Sequence, residues 1–133
     1  MTMYKTLAFS IFFCLAFSFS LHAQEEKSDP DLAAFELSDM LKKLDESGRP
    51  WTPVMQGENV LTGIYRLKAG TEDKQSPHGT DEVYYAVSGK AKFRVGEEVV
   101  EVKAGSILFV KAQASHQFFD IEEDLVLVVF FDK

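Results

Sequence analysis

Apolar residues along most of the chain come in short runs that end at polar or turn-forming residues. From residue 59 onward these runs are four to eight residues long, and most are separated by segments that contain glycine. Many short strands with turns between them indicate a β-sandwich or a β-barrel. The predicted strands are residues 60–67, 82–87, 91–95, 98–102, 107–110, 117–121 and 125–131, with an acidic turn at 122–124.

A single helix is predicted ahead of the strands, over residues 31–47. Its apolar residues recur at a spacing near 3.6, which is typical of a helix with one buried face. Asp29 or Asp31 can cap its first turn, and Gly48 stands where a C-terminal glycine belongs. The prolines on either side of Trp51 prevent the helix from continuing, and we expect the indole to pack against the domain.

A tight hairpin is predicted around Gly96 and Glu97. A two-residue loop with glycine first favours a type II′ turn between the strands at 91–95 and 98–102. The resulting register puts apolar residues opposite each other on the inner face and opposite charges on the outer face. The expected pairs are Phe93 with Val100 and Ala91 with Val102 inside, and Lys92 with Glu101 outside.

The first 23 residues have the pattern of a secretory signal peptide. Lys5 precedes a charge-free apolar run over residues 7–21, and Ala23 stands at the change to polar sequence. We therefore expect cleavage after Ala23 and export to the periplasm or the medium. The run is shorter than the roughly 20 residues that span a membrane, which argues against an uncleaved anchor. The expected organisation is a signal peptide at 1–23, a flexible tail at 24–30, a helix and linker at 31–58, and a β-barrel at 59–133.

Composition narrows the classes of partner. Removing residues 1–23 takes away one base and no acid, so 13 basic and 21 acidic residues remain and the net charge is near −8. This charge argues against nucleic acid and anionic membrane surfaces as partners and favours solubility. Cys14 is the one cysteine, so we expect a mature chain without a disulfide, a thiolate nucleophile or a cysteine-ligated zinc.

Two histidines and one glutamate are the candidate chemical residues. Alternate residues of an extended backbone share a face, which puts His78, Glu82, Tyr84 and Ala86 on one side of the chain. A carboxylate that begins an apolar strand is costly to bury unless it is paired or bound to a cation. With His116 as a second imidazole, the set suits iron and related divalent ions and leaves coordination positions open. The alternative use is a His–Glu acid–base pair without a metal, which needs hydrogen-bonding distance.

The spacing of these residues resembles the two motifs of the cupin family. The first family motif is a glycine, five residues, His-x-His, three or four residues, a glutamate, six residues and a glycine. The second is a glycine, five residues, Pro-x-Gly, two residues, a histidine, three residues and an asparagine. The stretches 70–89 and 105–120 resemble these motifs, with His78, Glu82 and Gly89 in the first and Gly105 and His116 in the second.

Three departures from the motifs make the first of them degenerate and weaken the second. Ser76 stands at the first histidine position, residues 111–113 replace the Pro-x-Gly turn, and Asp120 replaces the closing asparagine. The metal sites of the cupin family, which this chain resembles, consist of three histidines and one glutamate. When the family ligands are carried over position by position, the resemblance implies three metal ligands in this chain, and Gln75 could add a carbonyl oxygen. The three are His78, Glu82 and His116.

The resemblance implies an all-β, cupin-like antiparallel β-barrel, or jelly roll, with one N-terminal helix, and a possible homodimer. It further implies a divalent metal ion such as Fe, Mn, Ni or Zn, held in the barrel for an oxygenase or isomerase reaction on a small molecule. Tyr84 and Phe118 share strand parity with the ligands, so we expect them to contact the substrate. The competing hypothesis is a non-catalytic barrel that binds a small ligand without metal.

Overall fold

The computed structural model describes residues 31–133. The expected signal peptide and tail, and with them the cleavage after Ala23, lie outside the described residues. No helix within residues 31–133 is long and apolar enough to cross a membrane.

Within residues 31–133, six antiparallel strands and one N-terminal helix make up the fold, which confirms the all-β prediction. The elements are α1 (Leu37–Ser47), β1 (Trp51–Gln56), β2 (Val60–Leu67), β3 (Glu82–Val95), β4 (Glu98–Lys103), β5 (Ile107–Val110) and β6 (His116–Asp132). The strands pair in the order β1-β2-β6-β3-β4, and β5 pairs with β3. The longest strands, β3 and β6, pair with each other along most of their length.

The helix begins later than the sequence pattern predicts. Residues 31–36 are not helical, and Asp31 does not cap the helix, because Glu36 is the N-cap and makes no side-chain hydrogen bond there. Asp29, the other expected cap, lies outside the described residues. Leu32 is 83% exposed and contributes nothing to the buried face. The end of the helix is confirmed at Gly48, which adopts φ 65° and donates its N–H to the carbonyl of Leu44.

Strand β1 occupies part of the segment that was expected to be a linker. It begins at Trp51 and pairs with β2 alone, with a register irregularity after Pro53. An edge strand tolerates proline because one of its sides needs no donor. The indole of Trp51 contacts the ring of Phe131 with centroids 5.6 Å apart, so the expected packing of Trp51 against the domain is confirmed.

The hairpin at Gly96 and Glu97 has the predicted register. Phe93 pairs with Val100, Ala91 with Val102, and Lys92 with Glu101. Gly96 adopts φ 58°, as the first position of a type II′ turn requires. Two details differ: Val100 is 46% exposed, because β4 lies at the sheet edge, and Lys92 forms its ion pair with Asp120 at 2.9 Å.

The predicted acidic turn at 122–124 is wrong, because β6 runs through it without interruption. The three acidic side chains are exposed, and Glu122 forms an ion pair of 2.6 Å with Lys90 of β3. The irregularity lies instead at Asp120, which adopts φ 45°. The segments 82–87 and 91–95 likewise belong to one strand, β3, whose pairing with β6 shifts register around Ser88 and Lys90.

Two apolar clusters lie on opposite faces of the sheet. The larger fills the barrel and includes Tyr84, Phe93 and Phe118. The smaller joins Met40 and Leu44 of α1 to residues of β2 and β6. The helix therefore covers the outside of the barrel, and the interior remains for β-strand side chains.

Candidate metal centre

Glu82 begins β3 and points into the barrel. It pairs on one side with Val110 of β5 and on the other with Phe131 of β6, so its backbone is held from both sides. Alternation along β3 sends the side chains of Glu82, Tyr84 and Ala86 inward, as predicted, and Tyr85 outward. The Glu82 side chain is only 1% exposed.

His116 begins β6 and directs a ring nitrogen at Glu82. Its Nδ1 lies 2.7 Å from the carbonyl oxygen of Ala114, which can only accept, so Nδ1 is the protonated nitrogen of the neutral ring. Nε2 then carries a lone pair and lies 2.9 Å from Oε1 of Glu82. Fixing the tautomer through Nδ1 is how proteins orient histidine ligands toward a metal.

His78 completes the group from the loop before β3. Its Nε2 lies 3.8 Å from Oε2 of Glu82, and its side chain is 35% exposed. The ring packs edge-on against Phe131, with centroids 5.2 Å apart, and the backbone N–H of Gln113 donates to the His78 carbonyl at 2.7 Å. The loop thus brings His78 back to the mouth of the barrel.

The three predicted residues converge, since each offers a ligand atom within 4.8 Å of the others. Both carboxylate oxygens of Glu82 are buried, and neither accepts a hydrogen bond from the described residues. The short contact between Glu82 and His116 therefore brings two lone pairs together. Their repulsion is relieved only if a metal ion or a proton lies between them. A buried carboxylate without donors and two imidazole nitrogens fit a divalent metal ion.

A proton can also serve as the cation in this contact. Burial lowers the pKa of His116, but the oxygens of Glu82 and Ala114 outweigh burial and raise it overall. Metal binding to imidazole displaces such a proton. The same geometry therefore favours a positive charge between His116 and Glu82 whichever cation supplies it.

A hydrogen-bonded chain leads from the centre to a second buried carboxylate, Asp73. The Tyr84 hydroxyl lies 3.1 Å from Nε2 of His116 and 2.9 Å from Oε1 of Gln75, and Nε2 of Gln75 donates to Asp73 at 2.8 Å. Asp73 also accepts from the Tyr65 hydroxyl at 2.6 Å. Burial and the nearby Glu82 carboxylate raise the pKa of Tyr84, so its hydroxyl keeps its proton.

Sequence reasoning missed Asp73 and weighed Gln75 only as a source of a carbonyl oxygen. Asp73 lies in a polar stretch, and nothing in its linear surroundings separates it from exposed acids. Ser76, at the first histidine position of the family motif, is exposed. The side chain of Gln75 faces the interior in place of Ser76, because its amide forms hydrogen bonds with Tyr84 and Asp73.

The two residues expected to contact substrate lie in different surroundings. Tyr84 lines the cavity at the barrel mouth. Phe118 is fully buried behind it, with its ring 4.4 Å from that of Phe93 and 5.3 Å from that of Tyr84, centroid to centroid. Phe118 therefore supports the wall on which Tyr84 stands, and a direct contact of either residue with a substrate stays a prediction.

A cavity of about 940 Å³ is lined by His78 of the candidate metal centre and extends toward the end of α1. Its inner wall includes Gln75, His78 and Tyr84, and Trp51 and Phe131 form an apolar side. This volume is ample for a small organic molecule. The charged lining residues are five bases, Arg49, Arg66, Lys68, Lys74 and Lys133, and three acids, Asp45, Glu72 and Asp132.

Known proteins resemble this chain in sequence and in fold. A protein of Streptomyces coelicolor, named uncharacterized protein SCO3923, is 41% identical over 100 residues, which cover 74% of this chain and 95% of that protein. The crystal structure of TT1209 from Thermus thermophilus is 33% identical, covers 62% of this chain and 80% of that one, and has a TM-score of 0.54. The structure of KdgF from Halomonas is 16% identical, covers 62% of this chain and 76% of that one, and has a TM-score of 0.56, which shows the fold alone.

A family model matches most of the barrel. The model described as the cupin domain matches residues 63–131, a segment that runs from β2 into β6 and contains all three candidate ligands. Together with the antiparallel barrel and the spacing of the two motifs, this match establishes the resemblance found in the sequence. The chain therefore belongs to the cupin family.

Proposed function

We propose that this cupin binds a divalent metal ion through His78, Glu82 and His116 and acts on a small molecule that enters the adjoining cavity. The observation that carries the proposal is the Glu82 carboxylate, which is buried, accepts no hydrogen bond from the described residues and faces the lone pair of His116. Such a group is costly in an apolar interior unless a cation neutralises it.

The chain supplies a site suited to metal-assisted chemistry of the oxygenase or isomerase type. A bound divalent ion would activate oxygen or polarise a substrate oxygen. The protein holds two ligands on strands, which keeps Glu82 and His116 in fixed positions, and places Trp51 and Phe131 where they exclude water from one side. The Tyr84 hydroxyl lies on the wall of the same cavity and keeps its proton.

A non-catalytic binding protein is the second candidate, and one observation favours it. Ser76 is exposed and offers no ligand at the position where the family motif has its first histidine. A site with fewer ligands holds its metal less tightly, and the cupin fold by itself does not specify an activity. In this case the cavity binds a small molecule and the ligand triad is a remnant.

Metal content separates the two candidates. We expect purified wild-type protein, incubated with Fe²⁺, Mn²⁺, Ni²⁺ and Zn²⁺ in turn and then dialysed, to retain close to one equivalent of at least one ion. His78→Ala and His116→Ala should retain less than a tenth of that amount, because each removes one of three ligands. Inductively coupled plasma mass spectrometry provides the measurement.

The control variant is Glu101→Gln, which removes an exposed carboxylate on β4 and should leave metal content unchanged. Wild-type protein that retains no ion after all four incubations would contradict the proposal and favour the non-catalytic binding protein. Equal retention by wild type and both histidine variants would contradict the assignment of the ligands.

A further inference from the structure

The Tyr84 hydroxyl approaches the metal centre from inside the barrel. Its oxygen lies 3.1 Å from Nε2 of His116, and Oε1 of Glu82 lies 2.9 Å from the same nitrogen. Two ligand atoms that bind one ion at right angles, each about 2.1 Å from it, are separated by about 3 Å. The two observed distances therefore suit atoms that share one coordination sphere.

The orientation of the Gln75 amide decides which part of the hydroxyl faces the centre. Asp73 can only accept hydrogen bonds as a carboxylate, so the amide nitrogen of Gln75 faces Asp73 and its oxygen faces Tyr84. That oxygen accepts the hydroxyl proton of Tyr84 at 2.9 Å. With its proton directed at Gln75, Tyr84 turns oxygen lone pairs toward His116 and Glu82.

Asp73 is itself held firmly enough to fix this orientation. It is 3% exposed and accepts hydrogen bonds from the backbone N–H of Phe118 in β6 at 2.8 Å and of Gln75 at 3.1 Å. The Tyr65 hydroxyl of β2 donates to it at 2.6 Å. The Asp73 carboxylate is held in place by donors from two strands. The Gln75 amide therefore keeps its nitrogen toward Asp73 and its oxygen toward Tyr84.

We propose that the Tyr84 oxygen is the fourth protein ligand of the metal, in place of the ligand that the exposed Ser76 does not supply, and that Asp73 and Gln75 position it. The inference rests on the proposed metal binding and extends it to a ligand set of two histidines, one glutamate and one tyrosine. Gln75 acts only through Tyr84 and is a positioning residue.

The same hydrogen bonds also satisfy the Tyr84 hydroxyl in the metal-free protein. Without an ion, Oε1 of Gln75 accepts the hydroxyl proton of Tyr84, and a proton on Nε2 of His116 faces Glu82. An ion that takes the lone pair of Nε2 leaves Gln75 as the acceptor. The hydroxyl proton therefore has a partner in both states, and metal binding requires no movement of the buried ring.

Cobalt(II) is the probe, because the visible absorption of bound Co²⁺ reports the number and kind of its ligands. We expect Tyr84→Phe to weaken Co²⁺ binding about 10-fold to 100-fold and to change the absorption spectrum of the bound ion. The phenyl ring preserves the packing against Phe93 and Phe118. The matched control is Tyr85→Phe, which removes an exposed hydroxyl on the other face of the same strand and should alter neither quantity.

Gln75→Leu tests the positioning role, and it serves as the second variant if Tyr84→Phe fails to fold. Without the amide oxygen, the Tyr84 proton turns toward His116 and competes with the metal, so Co²⁺ binding should weaken about 10-fold. In the double variant with Tyr84→Phe, loss of Gln75 should cause no further weakening, because it acts through the hydroxyl. Full additivity of the two substitutions would overturn the positioning role.

The outcomes separate this inference from the proposal on which it rests. If wild-type protein binds no Co²⁺, both fail. If it binds Co²⁺ and Tyr84→Phe shows the wild-type spectrum, metal binding stands and the fourth ligand is refuted, even where affinity falls, since a hydrogen bond to a metal-bound water would produce that pattern. A changed spectrum together with weaker binding supports Tyr84 as a ligand.

Discussion

At the scale of single residues, Glu82 is the carboxylate within residues 31–133 that is buried without a hydrogen-bond donor, which is costly in an apolar interior. Its carboxylate is buried at the start of a strand, and its neighbours donate no hydrogen bond to it. A proton or a metal ion next to His116 relieves that cost. The proposed metal binding would therefore be coupled to folding stability through this one side chain.

Glu82→Gln should abolish the stabilisation that a metal provides. At a Mn²⁺ concentration 100 times its dissociation constant, we expect the wild-type free energy of unfolding to rise by about 2.7 kcal/mol. The amide has lost the charge that attracts the ion, so the same Mn²⁺ concentration should leave the variant within about 0.5 kcal/mol of its metal-free value. Urea denaturation with and without Mn²⁺ measures both, and equal stabilisation of the two proteins would refute a ligand role for Glu82.

At the scale of elements, β3 forms the frame of the site. Glu82 and Tyr84 lie in its first half and Phe93 in its second, and the strand bends at Gly89 between them. Gly89 adopts φ 96°, and a Cβ atom there would collide with the carbonyl of Asp124 and lie 2.6 Å from Cα of Leu125. The bend therefore depends on a residue without a side chain.

Gly89→Ala should destabilise the fold far more than the same change at Gly105. Gly105 adopts a similar φ of 89°, but a Cβ added there would meet nothing within 4 Å. Backbone strain alone costs about 1–2 kcal/mol, which we expect for Gly105→Ala. The additional clash with β6 should bring Gly89→Ala to about 3 kcal/mol or more. Chemical denaturation of the two variants provides the comparison, and similar losses would show that the close approach of β6 is unimportant.

Element types were predictable wherever pattern and turn chemistry agreed. The register of the β3–β4 hairpin followed from Gly96 and from alternation on both sides of it. Strand β1 was missed because Pro53 usually interrupts a strand, and only the tertiary structure shows that this strand lies at an edge. The acidic residues 122–124 indicate a turn by composition, but exposure on a sheet surface satisfies them equally well.

The candidate site was predictable only as far as motif spacing extends. His78, Glu82 and His116 follow from positions in the two motifs, and strand parity added Tyr84. The link from Asp73 to Tyr84 joins a loop, β2 and β6 through side-chain hydrogen bonds. Such a network depends on the relative placement of distant segments, and no local pattern encodes it.

At the scale of the whole molecule, the charge of the cavity differs from that of the chain. The formal net charge is −7, but bases outnumber acids among the residues that line the cavity. Arg66 is partly committed to Asp45 through an ion pair of 2.7 Å, whereas Lys68 and Lys74 are exposed. A local excess of positive charge attracts anions to an otherwise acidic protein.

The metal-loaded protein should therefore prefer carboxylates to neutral analogues. We expect malonate to bind more tightly than malonamide, and replacing Lys68 and Lys74 with Gln to weaken malonate binding about two- to fivefold per charge. Lys103→Gln, an exposed change on β4, is the control. Isothermal titration calorimetry at low salt measures these affinities, and equal binding of the two probes would contradict an anionic ligand.

The central place of β6 in the sheet has a consequence for the order in which the molecule can form. Residues 116–132 supply the pairing partner of β2 on one side and of β3 on the other. A nascent chain on the ribosome has neither set of these backbone hydrogen bonds until this strand emerges. Closure of the barrel therefore waits until residues 116–132 have left the ribosome, and shorter nascent chains hold β2 and β3 without their shared neighbour.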